Sequence, residues 1–203
     1  MYPRPSNLLA GLSSLLAPRA PGKQVPAGPG EPPVTLERYG GVDHSIAAMK
    51  RGILSDRGAW SPKVRFVAER IVQHVSPKDY LSEVLAIRHW VSKHCPYLRD
   101  PAHVEWIRDP QALLEAMEAS PSGIVRCDCD EISSLIAALW LSIGNQVELV
   151  TVSFGSGPAS HVFVRCKVPK ATRDEWIVCD PVAGSKEAAM LTAYRRFWTY
   201  PLN

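Results

Sequence analysis

A chain of 203 residues, 46% hydrophobic and 21% charged, is long enough for one domain with a substantial core and leaves little for a second. That balance belongs to a globular protein and argues against a disordered or fibrous chain. The net charge of +3 comes from scattered Lys and Arg, which speaks against nucleic acid, and no apolar run reaches the roughly 20 residues of a membrane span.

Residues 1–34 hold eight of the eighteen prolines and four glycines, too little apolar surface to fold alone, and are expected to form an extended arm. Within it Ser6 can cap a short amphipathic helix whose stripe is Leu8, Leu9, Leu12, Leu15 and Leu16, a surface suited to the chain's own domain or to a larger protein assembly. Arg4 ahead of the apolar stretch resembles a secretion signal, but Pro18 and Arg19 spoil the cleavage pattern. The expectation is a cytoplasmic protein or a component of a phage-like particle, with five reduced cysteines.

Residues 35–203 form the expected domain. Three helix starts pair a capping residue with proline: Ser61-Pro62, Ser76-Pro77 and Asp109-Pro110. The first helix should end near His74, the second run through Leu81, Val84, Ile87 and Val91 to about His94, and the third be short. After a loop from Ser120 to Arg126, a fourth helix carries Ile132, Leu135, Ile136, Leu139, Trp140 and Ile143 at burial spacing and stops at Gly144. The period then changes. Val147–Phe154, His161–Val168 and Glu175–Cys179 read as strands joined by antiparallel hairpins. Ser185 to Phe197 reads as a helix, with Tyr194, Phe197, Trp198 and Tyr200 packing back on the body.

The chemistry gathers in the second half. Cys129, in Arg126-Cys127-Asp128-Cys129-Asp130-Glu131, opens the fourth helix, where unpaired N–H groups and the dipole favour a thiolate and where its own N–H can face an oxyanion. Asp128, Asp130 and Glu131 oppose that charge; for Asp128 and Glu131 the simpler role is capping and dipole pairing. His161 opens the second strand after a small-residue loop and can act as base. Asp180 closes the third strand, and hairpin pairing sets the start of one strand beside the end of the other, bringing His161 to Asp180.

The Cys-Asp-Cys-Asp-Glu element at a helix start, His161-Val162-Phe163-Val164 opening a strand and Trp176 with Asp180-Pro181 together resemble the transglutaminase-like (papain-like thiol) superfamily, especially its bacterial and bacteriophage members. Ile87 to Val91 with Cys95-Pro96-Tyr97 is similar to the stretch before the family's cysteine. The resemblance covers roughly residues 64–183. It implies an α+β fold, a helical N-terminal half whose cysteine helix packs on a small antiparallel sheet, and amide cleavage or exchange through a thioester. The Asp-Cys-Asp-Glu match selects Cys129 over Cys127, which lies a turn early. The family's second oxyanion donor is often an upstream aromatic or amide, for which Trp90, Tyr97 and Trp106 are candidates.

A zinc site built from Cys127, Cys129, His161, Cys166 and Cys179 is disfavoured because strand alternation turns Cys166 away from His161 and Cys179 away from Asp180. No carboxylate cluster has calcium-loop spacing, and the implied mechanism requires no cofactor. Two readings follow: a thiol-dependent hydrolase of a peptide or protein amide, with cross-linking to a second amine as its variant, or a structural adaptor that keeps the fold and docks through residues 1–34.

Overall fold

The computed structural model describes residues 42–100, 107–168, 176–182 and 194–203. The arm at 1–34, Trp106, the second hairpin linker and the stretch from Ser185 to residue 193 lie outside these. Among the described residues are five helices and a four-stranded antiparallel sheet, an α+β arrangement. The helices are α1 (Val42–Ile53), α2 (Pro62–Val72), α3 (Tyr80–His94), α4 (Pro110–Ala119) and α5 (Cys129–Ser142). The strands are β1 (Gln146–Ser153), β2 (His161–Lys167), β3 (Trp176–Cys179) and β4 (Arg196–Pro201), ordered β3-β2-β1-β4.

Local chemistry sets most helix starts. Ser61 accepts from Lys63 and Val64 N–H ahead of α2, and Asp109 accepts from Ala112 N–H ahead of α4, with proline next in both. Ser76-Pro77 behaves differently from expectation. The Asp79 N–H bonds the Ser76 carbonyl at 3.1 Å, Lys78 takes a φ of 68°, and Asp79 caps α3 by accepting from Ser82 N–H. The serine and proline thus make a turn, because the chain needs a left-handed residue before the helix can begin. α1 was not foreseen. Its buried Ile46, Met49 and Ile53 have helical spacing, but no strong cap marks its start.

Between α1 and α2 the backbone folds tightly: a Cβ on Gly58 would stand 2.1 Å from the Ile53 carbonyl oxygen and 2.2 Å from that of Gly52. Only glycine fits such an approach.

α5 is the central element. From Asp130 to Leu141 every side chain is buried, because α1, α2, α3 and α4 surround it on one side and β1 and β2 cover the other. Trp140, wholly enclosed, satisfies its indole by donating to the Val84 carbonyl of α3 at 3.2 Å. Gly144, at φ +91°, ends the helix in the left-handed region, its N–H bonding the Leu141 carbonyl.

The sheet has two faces. Val147, Leu149, Val162, Val164, Cys166 and Cys179 pack into the helical core; Val150, Val152 and Phe163 form a second cluster with Val178 and Tyr194. Cys166 and Cys179 are therefore small apolar core residues, and all five cysteines are free thiols. The β2–β3 register, with Val164 opposite Cys179 and Lys167 opposite Trp176, is antiparallel as the hairpin reading requires.

The C-terminal expectation fails in its described part. Arg196 to Pro201 pairs with β1 as an edge strand, Thr199 opposite Val150. Phe197 and Trp198 are 67% and 39% exposed, so of the four aromatics only Tyr194 and Tyr200 pack inward. An edge strand is barely buried, and its sequence keeps too weak an alternation to separate it from the helix-forming residues before it. Among the described residues no helix is long and apolar enough to cross a membrane.

Candidate active site

The head of α5 is built by Asp128. Its Oδ1 accepts from the N–H groups of Asp130 and Glu131, both at 3.1 Å, which leaves the Cys129 N–H out of the cap. Glu131 lies in the first turn, as dipole pairing expects, but its side chain serves an ion pair rather than a cap. Its carboxylate is buried and meets Arg108 in a fork, Nε to Oε1 at 2.5 Å and Nη2 to Oε2 at 2.9 Å, while Arg108 also donates to the Arg126 carbonyl at 3.2 Å. A planar guanidinium thereby ties the loop before the cysteine to the helix after it.

Cys127 and Cys129 occupy unlike places. Residues 95–98 and 125–127 run side by side, with a parallel bridge between Tyr97 and Cys127 and the Leu98 N–H on the Cys127 carbonyl at 2.8 Å. Cys127 is 1% exposed, and its hydrogen bond with Cys95, then burial, holds it as a thiol. Cys129 is half-buried at the first position of α5, and its Sγ donates to Asp130 Oδ1 at 3.3 Å. The Val162 backbone also bonds this sulfur, which sets the thiol beside the second residue of β2. Ser133 Oγ reaches the Val162 carbonyl at 3.5 Å one turn on. Burial first, then Asp130 and Asp128, push the Cys129 thiol far up. The contest between helix dipole and acidic neighbours is thus won by the acids and by burial, and the resting group is the thiol.

His161 begins β2 on the sheet face of Phe163 and Val152. Its Nε2 lies 2.9 Å from Asp180 Oδ1, directly after β3, with the side chains 7% and 2% exposed. Asp180 also accepts from the Val182 N–H at 2.9 Å through Oδ1 and from the Tyr194 hydroxyl at 2.5 Å through Oδ2. Burial raises this carboxyl, but the bonds and charge of His161, with Tyr194 and Val182, outweigh it and hold the group below the usual carboxylate range. An ionised Asp180 can only accept, so Nε2 is the donor in this pair and Nδ1 is the ring nitrogen not committed to it.

Of the two described aromatics, Tyr97 is the one coupled to the head of α5. Burial foremost, with the nearby Cys129 and Asp128, pushes its phenol up to about 12, so it remains a hydrogen-bond donor. Trp90 instead stacks on His94 with ring centroids 4.3 Å apart and packs against the core. Donor atoms of Asp128, Cys129 and Asp130 lie within 4.8 Å of one another. Asp128 is already committed to the cap, and a helix N-terminus repels a cation.

Arg108, Tyr194 and Val182 as partners of the site were not foreseen. Asp180-Pro181 did carry a signal for the last, since aspartate often bonds the N–H two residues on; the other two are joined to the site only by folding.

No family model matches this chain, and no curated protein does. Among solved structures it is similar to a candidate protease from Parabacteroides distasonis, at 14% identity and TM-score 0.48, over 68% of this chain and 27% of that one. It is also similar to a candidate cysteine protease from Cytophaga hutchinsonii, at 14% identity and TM-score 0.42, over 83% of this chain and 60% of that one. The chain thus spans less than two thirds of either, and likeness at this level does not bear on what it does.

Proposed function

We propose that this chain is a thiol-dependent amide or peptide hydrolase of the transglutaminase-like type, with Cys129 as nucleophile, His161 as base and Asp180 orienting the histidine. The observation that carries the reading is the buried bond between His161 Nε2 and Asp180 Oδ1 at 2.9 Å, which commits one ring nitrogen and leaves the other basic, on the residue next to the Val162 backbone that meets the Cys129 sulfur.

Because the resting sulfur is a thiol, proton transfer accompanies attack. In this reading the His161 imidazole, at the very start of β2, reaches past the Val162 backbone to the α5 side, where Nδ1 takes the Sγ proton as sulfur bonds the carbonyl carbon and Asp180 steadies the imidazolium. The oxyanion meets the Cys129 N–H, the free donor at the α5 head, with the Tyr97 hydroxyl as second donor. Collapse of this intermediate breaks the C–N bond; the imidazolium gives its proton to the departing amine and a thioester remains. Water, deprotonated by His161, attacks the thioester, and the acid leaves as the thiol is restored.

A survey of peptide and glutamine amides with the purified protein tests this. Cys129→Ala should abolish turnover, lowering it by about four orders of magnitude or more, with His161→Ala close behind. Cys127→Ala should keep turnover. Iodoacetamide should label the wild-type sulfur at position 129, and more slowly in His161→Ala. Labelling indifferent to His161, or turnover that survives loss of Cys129, would sink the reading.

A further inference from the structure

Asp180 is 3% exposed, and its two oxygens are used differently. Oδ1 receives His161 Nε2 and the Val182 N–H, while Oδ2 receives the Tyr194 hydroxyl at 2.5 Å. Tyr194 comes from a distant part of the chain, just ahead of β4, and is held firmly. Its ring stacks on Phe163 with centroids 5.8 Å apart and meets Phe154 edge-on at 5.3 Å; Phe154 in turn stacks on His161 at 6.4 Å. The aromatic contacts therefore support the ring that carries the hydroxyl.

A short bond between a phenol and a carboxylate is charge-assisted, and it has two consequences. It stops the carboxylate from rotating, so Oδ1 stays presented to the histidine. It also draws negative charge toward Oδ2, which weakens the hold of Oδ1 on an imidazolium. An aspartate without it would favour the protonated ring more strongly, and a base that is already protonated cannot accept the thiol proton.

We propose that Tyr194 is a positioning residue for His161, acting through Asp180 Oδ2 to fix the carboxylate and to keep the imidazole available as a base. This rests on the reading of His161 as the base. Among the described residues, the titratable groups that face this side of the sheet are Asp180 after β3 and Tyr194 before β4, with Cys129, Asp128 and Asp130 across the Val162 backbone on the α5 side.

Two variants test it in opposite directions. Tyr194→Phe keeps the ring packing and removes the donor; 3-fluorotyrosine at position 194 keeps the donor and makes it more acidic. The readouts are the titration of the His161 ring proton by NMR and the acid limb of kcat/KM. In Tyr194→Phe the midpoint and the limb should both move to higher pH by roughly half a unit to one unit, which lowers kcat/KM on that limb about threefold to tenfold. With fluorotyrosine both should move to lower pH. A purely packing role would leave the midpoint in place in both variants, and that result overturns the proposal. The NMR readout separates the two claims. Should the wild-type protein cleave no amide while the midpoints still move in opposite senses, the positioning role stands and the hydrolase reading falls; turnover with unmoved midpoints does the reverse.

Discussion

The Cys129 thiol points at the carboxylate of its own neighbour, Asp130, with Sγ 3.3 Å from Oδ1. A helix N-terminus ordinarily favours a thiolate, yet here burial, and then the anion that the following residue supplies at hydrogen-bond distance, push the thiol far up. Asp130→Asn removes the charge and keeps the shape. Alkylation of Cys129 at neutral pH should accelerate about tenfold, corresponding to one unit of thiol acidity. Iodoacetamide rates across pH for the two proteins measure this, and a slower or equal rate in the variant contradicts it.

Asp180 couples the site to stability. Its folded-state carboxyl is held below its ordinary range, so the stabilisation it contributes is complete above the unfolded value of about 3.9 and is lost as the pH falls through the lower folded value. The stability gap between the wild-type protein and Asp180→Asn should therefore be largest near neutrality and should narrow below about pH 4. Urea unfolding of both at pH 7, 4 and 3 reads the gap directly; a gap that widens on acidification reverses the sign. Turnover in the same variant should fall about 10³–10⁴-fold, since the amide can hold the ring in its other tautomer.

The Arg108–Glu131 fork braces the loop that leads into α5, with side chains 13% and 2% exposed. Glu131→Ala removes the carboxylate that the largely enclosed guanidinium faces, and the expected loss of stability is about 3 kcal/mol. Replacing both residues by leucine should cost less than the single change, because no orphaned charge remains. Chemical denaturation of the single and double variants decides this, and a double variant less stable than the single would show that the fork itself is strongly stabilising.

Gly58 tests the turn that joins α1 to α2. Any side chain there would meet backbone oxygens rather than a yielding side chain, so Gly58→Ala should destabilise by about 3 kcal/mol. Thermal unfolding measures it. A change under about 0.5 kcal/mol, the range of an ordinary surface substitution, would mean that the turn opens freely.

Much of this fold could be read from local pattern because the responsible forces are local. Ser61 and Asp109 each bond an N–H within the next turn, Gly144 ends α5 by its own backbone freedom, and strand alternation by itself assigned Cys166 and Cys179 to the core face. The pairing of His161 with Asp180 was also legible, since two adjacent antiparallel strands must bring one beginning next to the other's end. Where a local cue competed with a requirement further along, it misled: Ser76-Pro77 looked like a helix start, but the left-handed Lys78 moved the start to Tyr80.

What only the tertiary structure decided concerns partners far apart in the chain and the balance of opposing terms. Arg108 finds Glu131 and Tyr194 finds Asp180 because packing of α5 on the sheet and closure of the β4 edge bring them together; no spacing in the sequence encodes either contact. The state of Cys129 belongs to the same class. Its helix position and its acidic neighbours are both written in the residue order, but their contest turns on how much water reaches the sulfur, and burial is a property of the folded molecule alone.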